Sequence, residues 1–435
     1  MVSVEIVGLL GIILMFLLMF LRIPIAISMA VPAVIGILYL KDWNTLATAV
    51  ETIIWDHSFS YTLSTIPMFV LMGELLYICG ISTELFTTFR LWLSRIRGGL
   101  GMATIGSSAV FAAASGSSLA NTATMGVIAS KEMLNAGYNK SITGGSIVAG
   151  GTLGVLIPPS TLFIVYGMMT EQSIGQLLVA GIIPGILLMI FYMLTVYVVI
   201  LIKPGWAPAA STKVTWKEKF NSLKSTIWVI LLFLIVIGGM YLGWFNPTEA
   251  AGIGAFTTFV IALVRRKLNV RTFIQALSET LRTTGFLFAI IIMAFILNYF
   301  LTVTRVPLLL ADFLNGLTLP SFAIFAIIIL MYILLGAVMD ALAMVVVTLP
   351  IILPLINMMG LDLIWFGVII VLVMEMAMIT PPVGMNCFVL KGAAPDLSLE
   401  DIFKGTIIFT IPILIMIAIL YLFPQLALFL PQGMY

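Results

Sequence analysis

Runs of about twenty apolar residues, the length that crosses a bilayer as one helix, recur through this chain from Val4 to Phe423. No water-soluble surface can be closed over such a sequence: 62% of its 435 residues are hydrophobic and 9% are charged, where an ordinary soluble domain carries about 25% charge. The fold class that follows is an all-α, polytopic membrane protein. Candidate crossings are Val4–Leu21, Pro24–Leu40, Tyr61–Cys79, Ile142–Met169, Leu177–Ile202, Thr226–Trp244, Ala250–Val264, Thr280–Leu301, Trp365–Leu390 and Thr406–Phe423. The first lacks the basic leading segment and small-residue cleavage site of a signal peptide, so it is expected to stay as a membrane helix. A net charge of +2 leaves no footprint for nucleic acid. Cys79 and Cys387 lie far apart in apolar runs, as small buried hydrophobes do, with neither metal-like spacing nor a disulfide framework.

Two further apolar stretches, Gly99–Ala129 and Phe322–Met359, are interrupted at their middles, near Ser115–Ser118 and Gly336–Asp340. Helical hairpins that enter, turn at mid-membrane and leave by the same side explain this pattern. Such backbone is tolerated only where protein or a wet cavity satisfies it. Each hairpin precedes an apolar helix broken by a double proline, Pro158-Pro159 or Pro381-Pro382. Proline removes a ladder N–H and clashes with the preceding turn. The double prolines lie 223 positions apart, as do Gly137 and Gly360, while Gly116 and Gly336 lie 220 apart, so a three-residue insertion relates the halves.

Charge orients these repeats, because short cytoplasmic loops are enriched in Lys and Arg. Hairpin one is flanked by Arg90, Arg95, Arg97, Lys131 and Lys140, and hairpin two by Asp312 and Asp362. The signs reverse after the breaks, with Glu171 behind the first and Lys391 and Lys404 behind the second. The repeats are therefore expected to be inverted, with both termini outside the cell and hairpin one opening from the cytoplasm. Leu85–Ile96 and Val214–Leu223, which mix apolar and basic residues, read as interfacial.

Inverted repeats with discontinuous helices place substrate and coupling-ion sites near mid-membrane. Freed carbonyls there suit a cation, and half-helix N-termini suit an anion. Carboxylates inside a membrane are functional candidates, here Glu74, Asp340 and Glu375. The sole histidine, His57, reads as a structural residue in a loop at a membrane edge. With so few groups titrating near neutrality, a metal cation is favoured over a proton as coupling ion. An enzyme would need a paired nucleophile and base or a metal triad within the membrane, and the chain offers none.

With the Ser115–Thr122 tip, Gly154–Ser160, Gly336–Asp340, Thr348-Leu349-Pro350 and Thr380–Asn386 assembled, the chain resembles the large membrane subunit (DctM-like, or M subunit) of tripartite ATP-independent periplasmic (TRAP) transporters over essentially its full length. The resemblance implies a bacterial inner-membrane protein that imports small organic anions with sodium. It implies an elevator-type motion and two partners, a soluble periplasmic substrate-binding protein and a small four-helix membrane subunit. No spare set of helices is left over for that subunit, so it is expected as a separate polypeptide. Residues 1–84 and 203–305 would form scaffold. Repeat one (85–202) and repeat two (306–435) would carry the hairpins and broken helices.

Sodium would pair each tip with its own repeat's broken helix: Ser115, Gly116, Gly151 and Gly154 in one, Gly336, Thr380, Pro382 and Gly384 in the other. Substrate contacts would come from Ser117, Ser118, Asn121, Thr122, Asn386 and Asp340. The tip sequence Gly116–Asn121 is similar to the sialic acid subgroup, although C4-dicarboxylates and other sugar acids remain open. Residues around Asp312 and Leu361 are candidates for docking the binding protein. The competing expectation is a standalone sodium–anion symporter of the same architecture.

Overall fold

The computed structural model describes residues 3–208, 214–309, 312, 320–336 and 339–434. The described residues form helices, turns and connections, with no strand among them. Among the described residues, five helices are long and apolar enough to span a membrane singly, up to eight if each bent pair counts as one span. Ala337, Val338 and the segments either side of Asp312 lie outside the described residues.

One half of the molecule is built on the long helix α15 (Val270–Val303), against which α1 (Val4–Phe20), α2 (Ile25–Leu40) and α4 (Thr65–Ile78) pack. Gly11 and Gly36 let α1 and α2 close on the Phe300 ring, where a Cβ would collide with it. Helix α3 (Trp43–Ser58) is absent from the expected crossings. It forms because Asp42 caps it, accepting the Thr45 N–H at 2.7 Å, and because its apolar residues share one face. Trp43, Trp55 and the adjoining Phe59 are exposed, as aromatics at a membrane surface are. His57 belongs to the last turn of this helix and not to a loop, and its ring stacks on Phe295 at 3.7 Å. Burial pushes its pKa below the ordinary imidazole value, with Asp56 opposing.

Helix α5 (Ile81–Leu93) leaves α4 at 65°, turned by Gly80 in a left-handed conformation (φ 71°). The expected interfacial segment Leu85–Ile96 thus departs from the line of the preceding helix. The second interfacial segment behaves alike: Trp216–Lys224 meets Thr226–Tyr241 at 48°. Arg265, at the end of α14 (Pro247–Val264), forms an ion pair with Glu84 of α5, the two side chains being 14% and 32% exposed. Replacing Arg265 with alanine strands a half-buried carboxylate. We expect a loss of about 1–3 kcal/mol in thermal unfolding of the purified protein, partly restored by adding Glu84→Gln. An unchanged midpoint in the single variant would show the pair to be inert.

The other half is the repeated one. Helices α6 (Gly99–Ser115) and α7 (Ser118–Asn135) form hairpin one. Its arms are antiparallel, joined by Thr104 to Met133 near the base and by Asn121 Nδ2 to the Ser108 carbonyl (3.1 Å) near the tip. Helices α8 (Lys140–Leu156) and α9 (Thr161–Thr170) follow, bent by 41° at Pro158-Pro159. Between α9 and α14 lie α10 (Ile174–Ala180), α11 (Ile182–Ile202), α12 (Trp216–Phe233) and α13 (Gly239–Tyr241). In the second repeat, α16 (Ser321–Leu335) and α17 (Ala341–Met358) form the hairpin, tied by a 2.5 Å bond between the Tyr332 and Thr348 hydroxyls. Helices α18 (Leu363–Ile379) and α19 (Met385–Ala393) flank Pro381-Pro382.

The repetition extends to boundaries and caps. Helix α8 runs from 140 to 156 and α18 from 363 to 379; α7 runs from 118 to 135 and α17 from 341 to 358, a constant shift of 223. Caps match as well: Ser117 with Asp340, and Asn139 with Asp362. Gly137 and Gly360 are both left-handed, and both double prolines contain a cis bond. The first arms end at Ser115 and Leu335, 220 apart, so the three extra residues sit in the second tip itself. The repeats are bonded to one another, the Tyr166 hydroxyl of α9 donating to the Leu363 carbonyl of α18 at 2.6 Å. Helix α20 (Leu399–Leu422) packs along α8, close enough that a Cβ on Gly405 would strike the Ser141 carbonyl.

Candidate substrate and ion sites

A cavity of about 470 Å³ lies between the two halves. One wall comes from α4 (Val70, Gly73, Glu74, Tyr77) and α15 (Thr283, Phe286, Leu287). The other comes from both hairpin tips and the start of α9, including Ser115, Ser117, Ser118, Thr161, Asp340 and Ala341. That volume is in the range of small-molecule sites, which bury most of a ligand among apolar walls and a few placed polar groups. Glu74 and Asp340 are the charged residues in the lining, and no Lys, Arg or His is among them.

Three helix N-termini open on this cavity, those of α7, α9 and α17. Unpaired N–H groups and the helix dipole make such ends attractive to anions. The end of α17 is already closed by its own carboxylate, since Asp340 accepts the Ala343 N–H at 2.7 Å. Serines cap the other two: Ser117 accepts from Ala120 and Ser160 from Phe163, at 3.4 and 3.3 Å. These neutral caps leave α7 and α9 as the electropositive corner.

On repeat one the hairpin tip packs closely against the broken helix. Gly116 is left-handed (φ 58°), and a Cβ on it would stand 2.8 Å from the Pro159 carbonyl oxygen. A Cβ on Gly154 would stand 2.8 Å from the Ser117 carbonyl oxygen, and one on Gly151 would strike the Thr122 hydroxyl, with the Ser118 carbonyl oxygen 3.3 Å away. At each of these three glycines a backbone oxygen lies close to where a Cβ would stand, so a side chain there would have to displace backbone. Thr161 Oγ1 donates to the Gly116 carbonyl at 3.2 Å, tying the tip to the far side of the break, and Ser115 donates to the Ser117 carbonyl at 3.5 Å.

Repeat two is arranged differently. Gly336 is not left-handed; it ends α16 with φ −63° and is small because a side chain would run into Ala377 of α18. Thr380 donates its hydroxyl to the Met376 carbonyl at 2.6 Å, while its own carbonyl oxygen lies 3.2 Å from where a Cβ of Gly384 (φ 57°) would stand. Pro158 and Pro159 are buried, whereas Pro381 and Pro382 are exposed.

Of the expected substrate residues, Ser117, Ser118 and Asp340 line the cavity, and so does Ser115. Asn121, Thr122 and Asn386 do not, each being 0% exposed. Asn121 and Thr122 instead seat hairpin one on α8, Asn121 donating to the Ser108 and Gly150 carbonyls. The scaffold-side residues Tyr77 and Thr283 and the linking Thr161 were not singled out from sequence. Nothing in their local pattern sets them apart from other membrane hydroxyls; Glu74 carries a signal, being a carboxylate within an apolar run.

Comparison with known proteins bears on the fold and the family. Two solved transporters share the fold: the YdaH transporter of Alcanivorax borkumensis (TM-score 0.56, 15% identity, covering 91% of this chain and 90% of that one) and MtrF of Neisseria gonorrhoeae (0.57, 13%, 87% and 85%). In sequence, the chain is 33% identical over 406 residues to the C4-dicarboxylate TRAP transporter large permease protein DctM of Pseudomonas aeruginosa, covering 93% of this chain and 94% of the relative. It is 31% identical to the sialic acid TRAP transporter large permease protein SiaM of Vibrio cholerae (86% and 87%) and 30% identical to the sialic acid TRAP transporter permease protein SiaT of Haemophilus influenzae (96% and 67%). The family model for the DctM component of tripartite ATP-independent periplasmic transporters matches residues 12–426. The chain is therefore a multi-pass membrane transport protein, not an enzyme, and belongs to the DctM component family of tripartite ATP-independent periplasmic transporters.

Proposed function

We propose that this chain is the large membrane subunit of a sodium-coupled symporter in the bacterial inner membrane. It would import a small organic anion handed over by a periplasmic substrate-binding protein, working beside a small four-helix membrane subunit. The observation that carries the reading is the cavity walled by both hairpin tips on one side and by α4 and α15 on the other. A cavity at such a boundary changes its access when one half slides along the other, which is an elevator motion. The charge reversal around the two repeats supports their inversion and periplasmic termini.

The cargo's negative charge meets N–H groups of α7 and α9 and the hydroxyls of Ser115, Ser117 and Thr161, because among the described residues no basic side chain lines the cavity. The carbonyl oxygens of Ser117, Ser118 and Pro159 suit a sodium ion at the first tip. Gly336, Thr380, Pro382 and Gly384 are the corresponding group in repeat two. A bound cation supplies positive charge that the protein's own side chains do not bring to this site. The relatives' cargoes are C4-dicarboxylates and sialic acids, and the tip sequence favours a sialic acid.

The test is uptake of labelled sialic acid and of a labelled C4-dicarboxylate into proteoliposomes holding the chain and its small subunit. Uptake of one cargo is expected only with an inward sodium gradient and with the binding protein present. Uptake of free cargo without that protein would identify a standalone symporter, and equal uptake in potassium would remove sodium from the mechanism.

A further inference from the structure

The polar groups of the repeated half are not all used by the cavity or the first tip. Glu375 of α18 is 3% exposed, and neither carboxyl oxygen has a hydrogen-bond partner within the protein. No ion pair among the described residues includes it. The Ser118 hydroxyl of hairpin one and the Asn386 side chain of α19 face this carboxyl without closing a hydrogen bond to it. Asn386 is wholly buried, and both ends of its amide are unpartnered. Within electrostatic reach stands Tyr192, whose hydroxyl lies 3.0 Å from Thr152 Oγ1. Thr152 is the position equivalent to Glu375 under the shift of 223, so equivalent positions of the two repeats both lie near Tyr192.

A buried carboxylate costs several kcal/mol unless paired, and an unpaired amide or hydroxyl adds to that cost. Four unpartnered carboxyl and amide atoms on two fully enclosed side chains therefore call for a partner from outside the chain. The donor set defines its chemistry: two carboxylate oxygens, one amide oxygen and one hydroxyl, carrying a single negative charge. Transition metals take imidazole and thiolate, and divalent calcium takes six to eight oxygens with more carboxylates; no group of three or more His, Cys, Asp or Glu occurs among the described residues. One charge and four oxygens match a small alkali cation. With Oδ1 of Asn386 turned to that cation, Nδ2 is left to donate to the carboxylate.

We propose that Glu375, Asn386 and Ser118 form a cation-binding site of their own at the junction of the two repeats, separate from the glycine notches at the hairpin tips. Ser118 couples it to the first tip, because its hydroxyl faces Glu375 while its carbonyl borders the Gly151 notch. A cation here joins hairpin one of the first repeat to the broken helix of the second, and so fixes the tip that walls the cavity. The choice of sodium as the ion rests on the sodium-coupled reading above; the site itself rests on the orphaned groups.

Direct binding of radioactive sodium to the full chain, purified with its small subunit, tests this without any transport step. Glu375→Gln keeps the side chain's size and removes its charge. It is expected to lose one bound sodium per chain while the remaining sodium binds with wild-type affinity. Asn386→Ala keeps the charge and is expected to weaken one class of site about tenfold; it carries the test alone if the glutamine variant does not fold. A full wild-type complement at unchanged affinity in the folded variants would overturn the proposal and leave Glu375 as a packing residue. No sodium bound by the wild type would overturn the sodium-coupled reading itself.

Discussion

Replacing Gly154 or Gly116 with alanine is expected to lower uptake on the order of 100-fold, the scale at which displacement of about 1 Å acts on a positioned site. At Gly154 the new methyl would stand 2.8 Å from the Ser117 carbonyl oxygen and 3.3 Å from Asn121 Cβ. Neither can retreat cheaply: the first is backbone at the tip, and Asn121 is held by its bonds to the Ser108 and Gly150 carbonyls. At Gly116 the methyl meets the Pro159 carbonyl oxygen at 2.8 Å in a backbone of φ 58° that side chains rarely adopt. Overpacking of this kind costs about 1–3 kcal/mol, which a large membrane protein survives while its tip is pushed out of place.

The controls are the same chemical change elsewhere. Gly252 in α14 and Gly392 in α19 have open space around a Cβ. Alanine there should leave uptake intact and raise helix stability by up to about 1 kcal/mol. Proteoliposome uptake normalised to folded protein reads all four variants. If the tip variants transport like the controls, the notch has no role in the transport cycle.

The second large effect is expected at Asp340, where two roles can be separated. The carboxylate caps α17 through the Ala343 N–H at 2.7 Å, and it also lines the cavity. Asparagine is as good a cap, whereas alanine forfeits about 1 kcal/mol. Thermal unfolding should therefore show Asp340→Asn near wild type and Asp340→Ala destabilised. Uptake should divide them otherwise, with both variants falling at least about tenfold, chiefly through a raised KM. Removing the charge leaves the α17 N-terminus free to compete with α7 and α9 for the cargo's carboxylate, so the anion loses its single preferred corner. Full uptake in the asparagine variant would reduce Asp340 to a helix cap.

Features with a local physical cause were legible in the sequence. Pro158-Pro159 and Pro381-Pro382 break helices wherever they are placed, because a missing N–H and a ring clash act within one turn. Gly137 and Gly360 end helices by a backbone conformation other residues avoid, and the constant spacing between such marks is enough to reveal the repeat. The overlooked helix α3 shows the limit of reading by apolar runs. Asp42 caps it from outside, and its apolar residues alternate with polar ones so that no hydropathy run contains them. Gly336 shows another limit: it resembled the left-handed Gly116, yet its smallness serves a close approach to Ala377, a residue 41 positions away.

Within the candidate site the division is sharper. Composition and run length alone determined that the chain folds in a membrane, and the paired signals alone determined two hairpins and two broken helices. Only the tertiary structure decided which way each polar residue of α7 faces. Ser118 reaches the cavity, whereas Asn121 and Thr122 turn into α8. Helical periodicity separates faces but does not say which face meets which neighbour. Only the packing of distant segments, moreover, brought Glu74 and Thr283 opposite the tips and brought Ser118 and Asn386 up to the Glu375 carboxyl. Covalent and steric rules act over a few residues and can be read along the chain; a site is made by residues hundreds of positions apart, and its geometry exists only once the helices have packed.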